Sequence, residues 1–216
     1  MTGAILATAS TATPFLCYNR RMKRLLILPV LLLLVGTPAS SADFFKGLDA
    51  YDRGDYATAL REFTPLAEQG FSSAQFNLGV MYEKGRGVPQ NYKTAVKWYP
   101  LAAEQGIAEA QHNLGVMYDN GQGVPQNYKT AIKWYTLAAE QGIASAQYNL
   151  GSMYYNGRGV LQDYVRAHMW WNIAASSGHK KASENRDIVA EQMTPADISK
   201  AQDLAQECLR KNYKGC

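Results

Sequence analysis

The chain contains few of the residues that build metal, redox or catalytic sites. Three cysteines and three histidines are present among its 216 residues. No Ser-His-Asp or HExxH arrangement is visible, and no pattern pairs a nucleophile with a nearby base. The sequence therefore predicts no catalytic residue, no metal site and no cofactor.

Acidic residues are missing from the first 42 positions, whereas Arg20, Arg21, Lys23 and Arg24 all lie there. Subtracting these four from the 22 basic residues leaves 18, which balances the 18 acidic residues of positions 43–216. A neutral body has no basic surface for phosphate groups. We therefore expect no nucleic-acid partner.

Long apolar runs are also scarce, and the strongest one is the eleven-residue run Leu25–Val35. It follows the basic pair Lys23-Arg24 and precedes small residues that end at Ala42. These three parts are typical of a secretory signal peptide, and the run is too short to span a bilayer comfortably. We predict a leader over residues 1–42, with the physiological start at Met22 and cleavage near Ala42. The mature protein is then periplasmic or secreted, without membrane insertion; an uncleaved anchor is the alternative.

Internal repetition is what the sequence has in abundance. Residues 74–106 and 110–142 are identical at 27 of 33 positions without a gap, and a third, more diverged copy spans residues 146–178. A period of 36 residues is typical of helical-repeat proteins, in which a hairpin buries both apolar faces only by stacking on its neighbours.

Each copy is predicted to form a helix, a loop and a second helix. In the first helix, called helix A, Ala74, Leu78, Met81 and Tyr82 give one apolar face, and Gly79 allows a partner helix to approach closely. The G-x-G-V stretch that follows ends helix A, and helix B begins at Tyr92. Tryptophans recur in helix B and are interpreted as stacking between hairpins, with an aromatic ligand platform as the alternative: Trp98, Trp134, Trp170 and Trp171.

These anchors resemble the Sel-one-like repeat, a relative of the tetratricopeptide repeat with a longer loop. The shared motifs are Asn-Leu-Gly-x-Met-Tyr, then Gly-x-Gly-Val, then Tyr-x-x-Ala-x-x-Trp-Tyr, in which the third copy carries Trp171 in place of the last Tyr. The resemblance implies an all-α fold, a right-handed superhelix (solenoid) of antiparallel helical hairpins. We assign a tetratricopeptide-like hairpin to residues 43–71, repeats to residues 72–107, 108–143 and 144–179, and capping helices to residues 180–216.

In this superfamily the A helices line a concave groove, so the resemblance implies where a partner would bind. The predicted groove residues are Phe76, Asn77, Val80, Glu83 and Lys84, then Glu109, His112, Asn113, Val116, Asp119 and Asn120, then Tyr148, Asn149, Ser152, Tyr155 and Asn156. Their three asparagines form a ladder of amides. Related tetratricopeptide proteins use such an amide to pair with a peptide backbone; a bond to a neighbouring hairpin is the alternative.

The remaining histidines and cysteines are given structural roles. His168 and His179 are expected on the helix surface. Cys208 and Cys216 are predicted to form a disulfide, as an even pair does in an exported protein. Eight residues of continuous helix would separate their Cα atoms by about 12 Å, which is too far to bridge. The last helix must therefore end between them, with Asn212 and Gly215 as turn residues.

The resemblance implies a non-enzymatic scaffold, adaptor or regulator of the bacterial envelope that binds a protein or peptide in the groove. A cell-wall glycan-binding or structural envelope protein is the alternative, because tyrosine and tryptophan are frequent. Some secreted members of the family carry a β-lactamase label, but such a hydrolase needs an activated nucleophile. The repeats do not determine the oligomeric state.

Overall fold

The computed structural model describes residues 41–216, and the predicted leader lies outside these residues except for its last two positions. Ten α-helices and no strand are present in this described part. The helices are α1 (Ser41–Asp52), α2 (Tyr56–Glu68), α3 (Ser72–Lys84), α4 (Tyr92–Glu104), α5 (Ala108–Asn120), α6 (Tyr128–Ala139), α7 (Ala144–Asn156), α8 (Tyr164–Ser176), α9 (Lys180–Ala190) and α10 (Pro195–Arg210). The predicted cleavage point at Ala42 falls in the first turn of α1.

The helices pair in chain order and stack in chain order. Helices α1 and α2, α3 and α4, α5 and α6, and α7 and α8 form hairpins, and each second helix also packs against the first helix of the next hairpin. Most contacts between helices are therefore between elements that are close in sequence, which is the property of a solenoid. The predicted all-α helical solenoid is confirmed.

Helix ends in the repeats are set by short, local signals. Asn91, Asn127 and Asp163 are N-caps whose side chains accept a hydrogen bond from the backbone N–H three residues later. At the other end, Gly85 and its equivalents in the next two copies end helix A in the left-handed conformation, with φ between 66° and 68°. The loop prediction is therefore confirmed in all three copies.

The second glycine of the loop is required by a contact between hairpins. A Cβ on Gly123 would lie 2.5 Å from the carbonyl oxygen of Tyr92, at the start of helix B in the preceding copy. In the same way, a Cβ on Gly159 would lie 2.8 Å from the Cβ of Tyr128. The loop thus lies directly on the preceding hairpin, where any side chain would separate the two.

Within a hairpin, the glycine of the Asn-Leu-Gly motif lies under an aromatic ring of helix B. A Cβ on Gly79 or Gly115 would be 2.6 Å from the ring of Tyr99 or Tyr135. Gly151 has Trp171 in the same place. Both tyrosine rings are at most 1% exposed, so the close helix approach predicted from Gly79 buries one large ring in each repeat.

Three of the four tryptophans of helix B join consecutive hairpins, as predicted, whereas Trp171 lies on Gly151 of its own hairpin. Trp98 packs against the core formed by α1, α2 and α3, and Trp134 packs against the core of α4 and α5. Trp170 belongs to a core that includes residues of α6, α7 and α10. Stacking between hairpins is therefore what these three side chains do in the structure.

The last two helices have different roles. Helix α9 packs on α8 in the place where a further helix A would lie, whereas α10 turns back and packs on α8. Thr194 begins α10 by accepting a hydrogen bond from the N–H of Asp197. The helix ends at Arg210, Asn212 and Gly215 adopt positive φ, and the backbone N–H of Gly215 donates to Glu140. The structure joins Cys208 to Cys216, whose Cα atoms are 5.5 Å apart.

The surface location predicted for His168 is wrong, whereas His179 is half-buried and remains accessible to solvent. His168 is 3% exposed, and its Nδ1 is buried without a hydrogen-bond partner. His179 is the N-cap of α9, and its ring stacks on Tyr148 with centroids 4.5 Å apart. Packing of α9 against α8 removes both rings from full solvent exposure, which no single-helix pattern reveals.

Candidate functional site

All sixteen predicted groove residues lie on α3, α5 and α7, and all of them are accessible to solvent. We call the surface that they form the A-face. Lys84, Glu109, Asn120 and Asn156 are exposed and the other twelve are half-buried. A partner that approaches the A-face would therefore meet side chains from each copy at intervals set by the repeat.

The amide ladder uses its side chains differently from copy to copy. Asn77 donates to the carbonyl oxygen of Ser73 in its own helix, over 2.7 Å. Asn113 donates to the hydroxyl of Tyr99 in the preceding copy, over 3.1 Å, and Asn149 contacts His112 Nε2, also in the preceding copy, over 3.3 Å. Bonding to a neighbouring hairpin therefore describes Asn113 and Asn149 but not Asn77.

A fourth amide, Asn185, continues the ladder on α9. It lies 36 residues after Asn149 and donates to the hydroxyl of Tyr148 over 3.3 Å. Asn185 is absent from the predicted groove because the predicted third copy ends at residue 179. Extending the period by one more step would have found it, since Ala182 and Val189 also repeat the buried positions Ala146 and Met153.

His112 lies in the middle of the ladder. Its Nδ1 is 3.2 Å from the amide oxygen of Asn113, while its Nε2 faces the amide nitrogen of Asn149. Burial lowers the pKa of the His112 ring below its ordinary value. A neutral ring with one donor and one acceptor matches these two amides, so His112 connects the second copy to the third.

Two carboxylates of the A-face hold the buried tyrosines of helix B. The hydroxyl of Tyr99 donates to Glu83, and that of Tyr135 donates to Asp119 over 3.4 Å. Burial, reinforced by the neighbouring carboxylate, raises the pKa of both phenols, and burial also raises the pKa of Asp119. The tyrosines are therefore un-ionised hydrogen-bond donors that orient the acids.

The third copy replaces this pair with two aromatic residues. Tyr155 stands at the register of Glu83 and Asp119, and Trp171 stands at the register of Tyr99 and Tyr135. The indole N–H of Trp171 donates to the backbone oxygen of Tyr148, over 3.1 Å, instead of to a carboxylate. The carboxylate that this register holds in the first two copies is therefore replaced by an uncharged aromatic side chain in the third.

A pocket of about 280 Å³ lies on the A-face at this point, between α7 and α9. Its lining consists of Tyr148, Ser152, Tyr155 and Asn156 from α7, Trp171 from α8, and Asn185 and Ile188 from α9. Four of these seven residues are among those predicted for the groove, and the other three depend on how α8 and α9 pack.

One pair of residues with a spacing known from catalytic sites was not predicted from the sequence, and the structure places its two members on different helices. Ser177 and Lys180 match the S-x-x-K spacing of some acyl-transfer enzymes. Ser177 is the C-cap of α8, whereas Lys180 begins α9. The two residues therefore belong to different helices rather than to one helical turn.

Residues 41–216 also contain no group of three or more His, Cys, Asp or Glu side chains that could hold a metal ion. No helix in this range is long and apolar enough to cross a membrane.

A stack of short helical hairpins with loops of the G-x-G-V type defines a helical-repeat protein of the solenoid class. The Sel1 repeat matches residues 72–107, 108–143 and 144–179. The chain belongs to the Sel1 repeat family. Repeats of this family generally act as protein-interaction scaffolds and are typically non-catalytic.

Two solved structures agree with this membership. A Sel1 repeat protein from Oxalobacter formigenes has 32% sequence identity and a TM-score of 0.66, over 76% of this chain and 68% of its own. A protective antigen of uropathogenic Escherichia coli strains with an SLR fold has 29% identity and a TM-score of 0.58, over 82% of this chain and 47% of its own.

The curated relatives match over a much shorter segment. DAP3-binding cell death enhancer 1 from Rattus norvegicus and its Mus musculus counterpart are each 40% identical over 47 residues, or 22% of this chain. The match spans 9% of the length of these relatives. Their name describes binding to a protein called DAP3.

Proposed function

We propose that this protein is a non-enzymatic scaffold of the bacterial envelope, an adaptor or regulator that binds a segment of a protein partner along the A-face. The observation that carries the proposal is the ladder Asn77, Asn113, Asn149 and Asn185, with one amide on each successive A helix. Each side-chain amide has both donors and an acceptor, so a ladder matches the alternating groups of a peptide backbone without reading its sequence.

Variation between the copies supports selective binding. The frame residues repeat, but Phe76 becomes His112 and Tyr148, and Val80 becomes Val116 and Ser152. These positions are half-buried on the A-face, so they present different chemistry along one continuous surface. Large surfaces with a repeated frame and varied contact residues suit recognition of an extended segment.

Localisation is part of the proposal and has its own test. The signal-peptide pattern before Ala42 supports export to the periplasm or beyond. Sequencing the N-terminus of the protein from a bacterial envelope fraction should give Asp43 as the first residue. A product in the cytoplasmic fraction that retains Met22 or an earlier residue would contradict export.

Site-specific photo-crosslinking tests the binding surface without disturbing the core. A benzophenone amino acid at Asn120 or Asn156 would sit on the exposed edge of the A-face, whereas one at Lys97 or Lys133 would sit on exposed positions of helix B. We expect both A-face variants to crosslink one shared protein in cells and both helix-B variants to miss it. Equal crosslinking from both sets would contradict the proposed surface.

A further inference from the structure

The pocket between α7 and α9 differs from the rest of the A-face in its charge. All seven residues that line it are uncharged. The change comes from Tyr155, which stands where Glu83 and Asp119 place carboxylates in the two earlier copies. A charged ligand group that enters this pocket therefore meets no side chain of opposite charge. Removing such a charge from water without a partner is costly.

One wall of the pocket is an aliphatic side chain that the fold leaves accessible. Ile188 is 53% exposed and occupies on α9 the register held by Val80, Val116 and Ser152 on the preceding A helices. An exposed aliphatic residue beside a concave space gains by contact with another apolar group, because apolar surface of both is removed from water.

The ring faces of the aromatic lining are partly covered by other rings of the protein. Trp171 is only 3% exposed. Tyr148 stacks on His179 with centroids 4.5 Å apart, and Tyr155 stacks on Tyr164 with centroids 5.4 Å apart. A sugar ring would need an open ring face for stacking, whereas an aliphatic or aromatic side chain fills the space by shape. These contacts favour an apolar side chain over a glycan.

Amides lie on either side of the space. Asn149 and Asn185 belong to the two A helices that flank it, and the single bond from Asn185 to the Tyr148 hydroxyl uses one of its two donor hydrogens. A peptide whose backbone follows the ladder would therefore carry a side chain into the pocket between these two amides. The pocket volume of about 280 Å³ is at the lower limit for small-molecule sites, and suits one large side chain.

We propose that this pocket is the specificity pocket of the A-face and takes one uncharged, apolar side chain, aliphatic or aromatic, of an extended peptide. The proposal rests on the proposed function of the A-face. It adds the class of residue that the partner must present next to the third copy.

Capped amino acids test the pocket directly. The ¹⁵N-labelled protein, purified as cells produce it, is titrated with N-acetyl-leucine amide, N-acetyl-phenylalanine amide, N-acetyl-aspartate amide, N-acetyl-lysine amide and N-acetylglucosamine. We expect the two apolar amides to shift the backbone signals of Ile188 and Asn185 saturably at millimolar concentration. The charged amides and the sugar should leave these signals unchanged. Saturable shifts with the sugar alone, or no shift with any probe, would overturn the proposal.

A matched pair of variants assigns the effect to the pocket. Ile188→Glu places a charge on the wall and should weaken binding of the apolar amides by about tenfold or more. Leu101→Glu makes the same type of change on α4, at a side chain that is 43% exposed and does not line the pocket. This control should bind as the unmodified protein does. Equal weakening in both variants, with unchanged thermal unfolding, would contradict the assignment.

The pocket and the proposed function can fail separately. If the A-face crosslinks a protein but the apolar amides do not reach Ile188, the pocket assignment is wrong and the scaffold function stands. If the amides bind and Ile188→Glu abolishes their binding, the pocket is established even where no protein crosslinks at Asn120 or Asn156.

Discussion

His168 occupies on α8 the register that Val96 and Ile132 hold in the preceding copies. Those two residues are half-buried, whereas His168 is 3% exposed and has an unpartnered Nδ1. Burial is the main reason that the pKa of His168 lies below its ordinary value, and the nearby Arg186 lowers it further. A buried polar atom without a partner lowers the free energy of unfolding.

Replacing His168 with the residue of the second copy tests this cost. His168→Ile should raise the free energy of unfolding at pH 7 by about 1–3 kcal/mol, because the desolvated polar nitrogen is removed. Urea unfolding followed by circular dichroism measures the difference. A variant that is no more stable than the unmodified protein at pH 7 would show that Nδ1 is satisfied in solution.

The stability that His168→Ile gains over the unmodified protein should depend on pH. The folded pKa of His168 is lowered, so its neutral form contributes stability above the unfolded pKa of about 6.5, and this is lost as pH falls towards the folded pKa. The advantage of His168→Ile should therefore grow as pH falls from 7 to 5. His112 also has a lowered pKa and contributes to the pH dependence of stability. The variant His112→Phe, which carries the residue of the first copy, measures that contribution. Parallel stability curves for the unmodified protein and His168→Ile would contradict the prediction.

At the scale of helices, the end of α10 is fastened at two points. Cys208 and Cys216 lie across a turn formed by Asn212 and Gly215, and Gly215 contacts Glu140 at the end of α6. The ring of Tyr213 also lies close to Gly142, because a Cβ on this glycine would be 3.3 Å from the ring. The C-terminal turn therefore holds α10 against the end of α6 as well as against α8.

Removing the cystine measures how much this fastening contributes. The double substitution Cys208→Ser and Cys216→Ser should lower the free energy of unfolding by about 2 kcal/mol, as expected for a short closed loop. Dithiothreitol should lower the stability of the unmodified protein similarly and leave the double variant unchanged. Insensitivity of both proteins to the reductant would mean that the two thiols are not joined in solution.

At the scale of the whole molecule, the repeat makes one hairpin interchangeable with another. The second helix of each copy meets the first helix of the next through the same buried positions, such as Ala102, Ala110, Ala138 and Ala146. Within the repeats, most interactions join helices of the same hairpin or of neighbouring hairpins, so stability is approximately a sum over repeats and their interfaces.

Deleting residues 108–143 tests this additivity. The shortened protein should fold, because α7 presents to α4 nearly the same buried residues as α5 does, and it should lose about 2–5 kcal/mol of stability for its missing 36 residues. Helical circular dichroism and cooperative thermal unfolding are the measurements. An out-of-phase control that deletes residues 108–137 should not fold cooperatively. Similar unfolding curves for the two deletions would show that the register does not matter.

Local signals were sufficient to predict the helices of the repeats. The end of helix A at Gly85 and the start of helix B at Tyr92 were predicted correctly, because each depends on residues within one turn of the boundary. The close helix approach was predicted from Gly79, and the structure places the ring of Tyr99 there. Fold class follows from such signals because contacts in a solenoid are short-range in sequence.

The sequence by itself determined the hairpins, their period and their order, because each repeat carries its own caps, turns and apolar faces. Only the tertiary structure decided the course of α10, the burial of His168 and the partners of the amide ladder. Asn113 and Asn149 bond residues of the preceding copy, while Asn77 bonds its own helix, although all three occur in the same motif. The pocket depends on α9 packing over the third copy, and that packing is fixed by surfaces that meet only when the chain has folded.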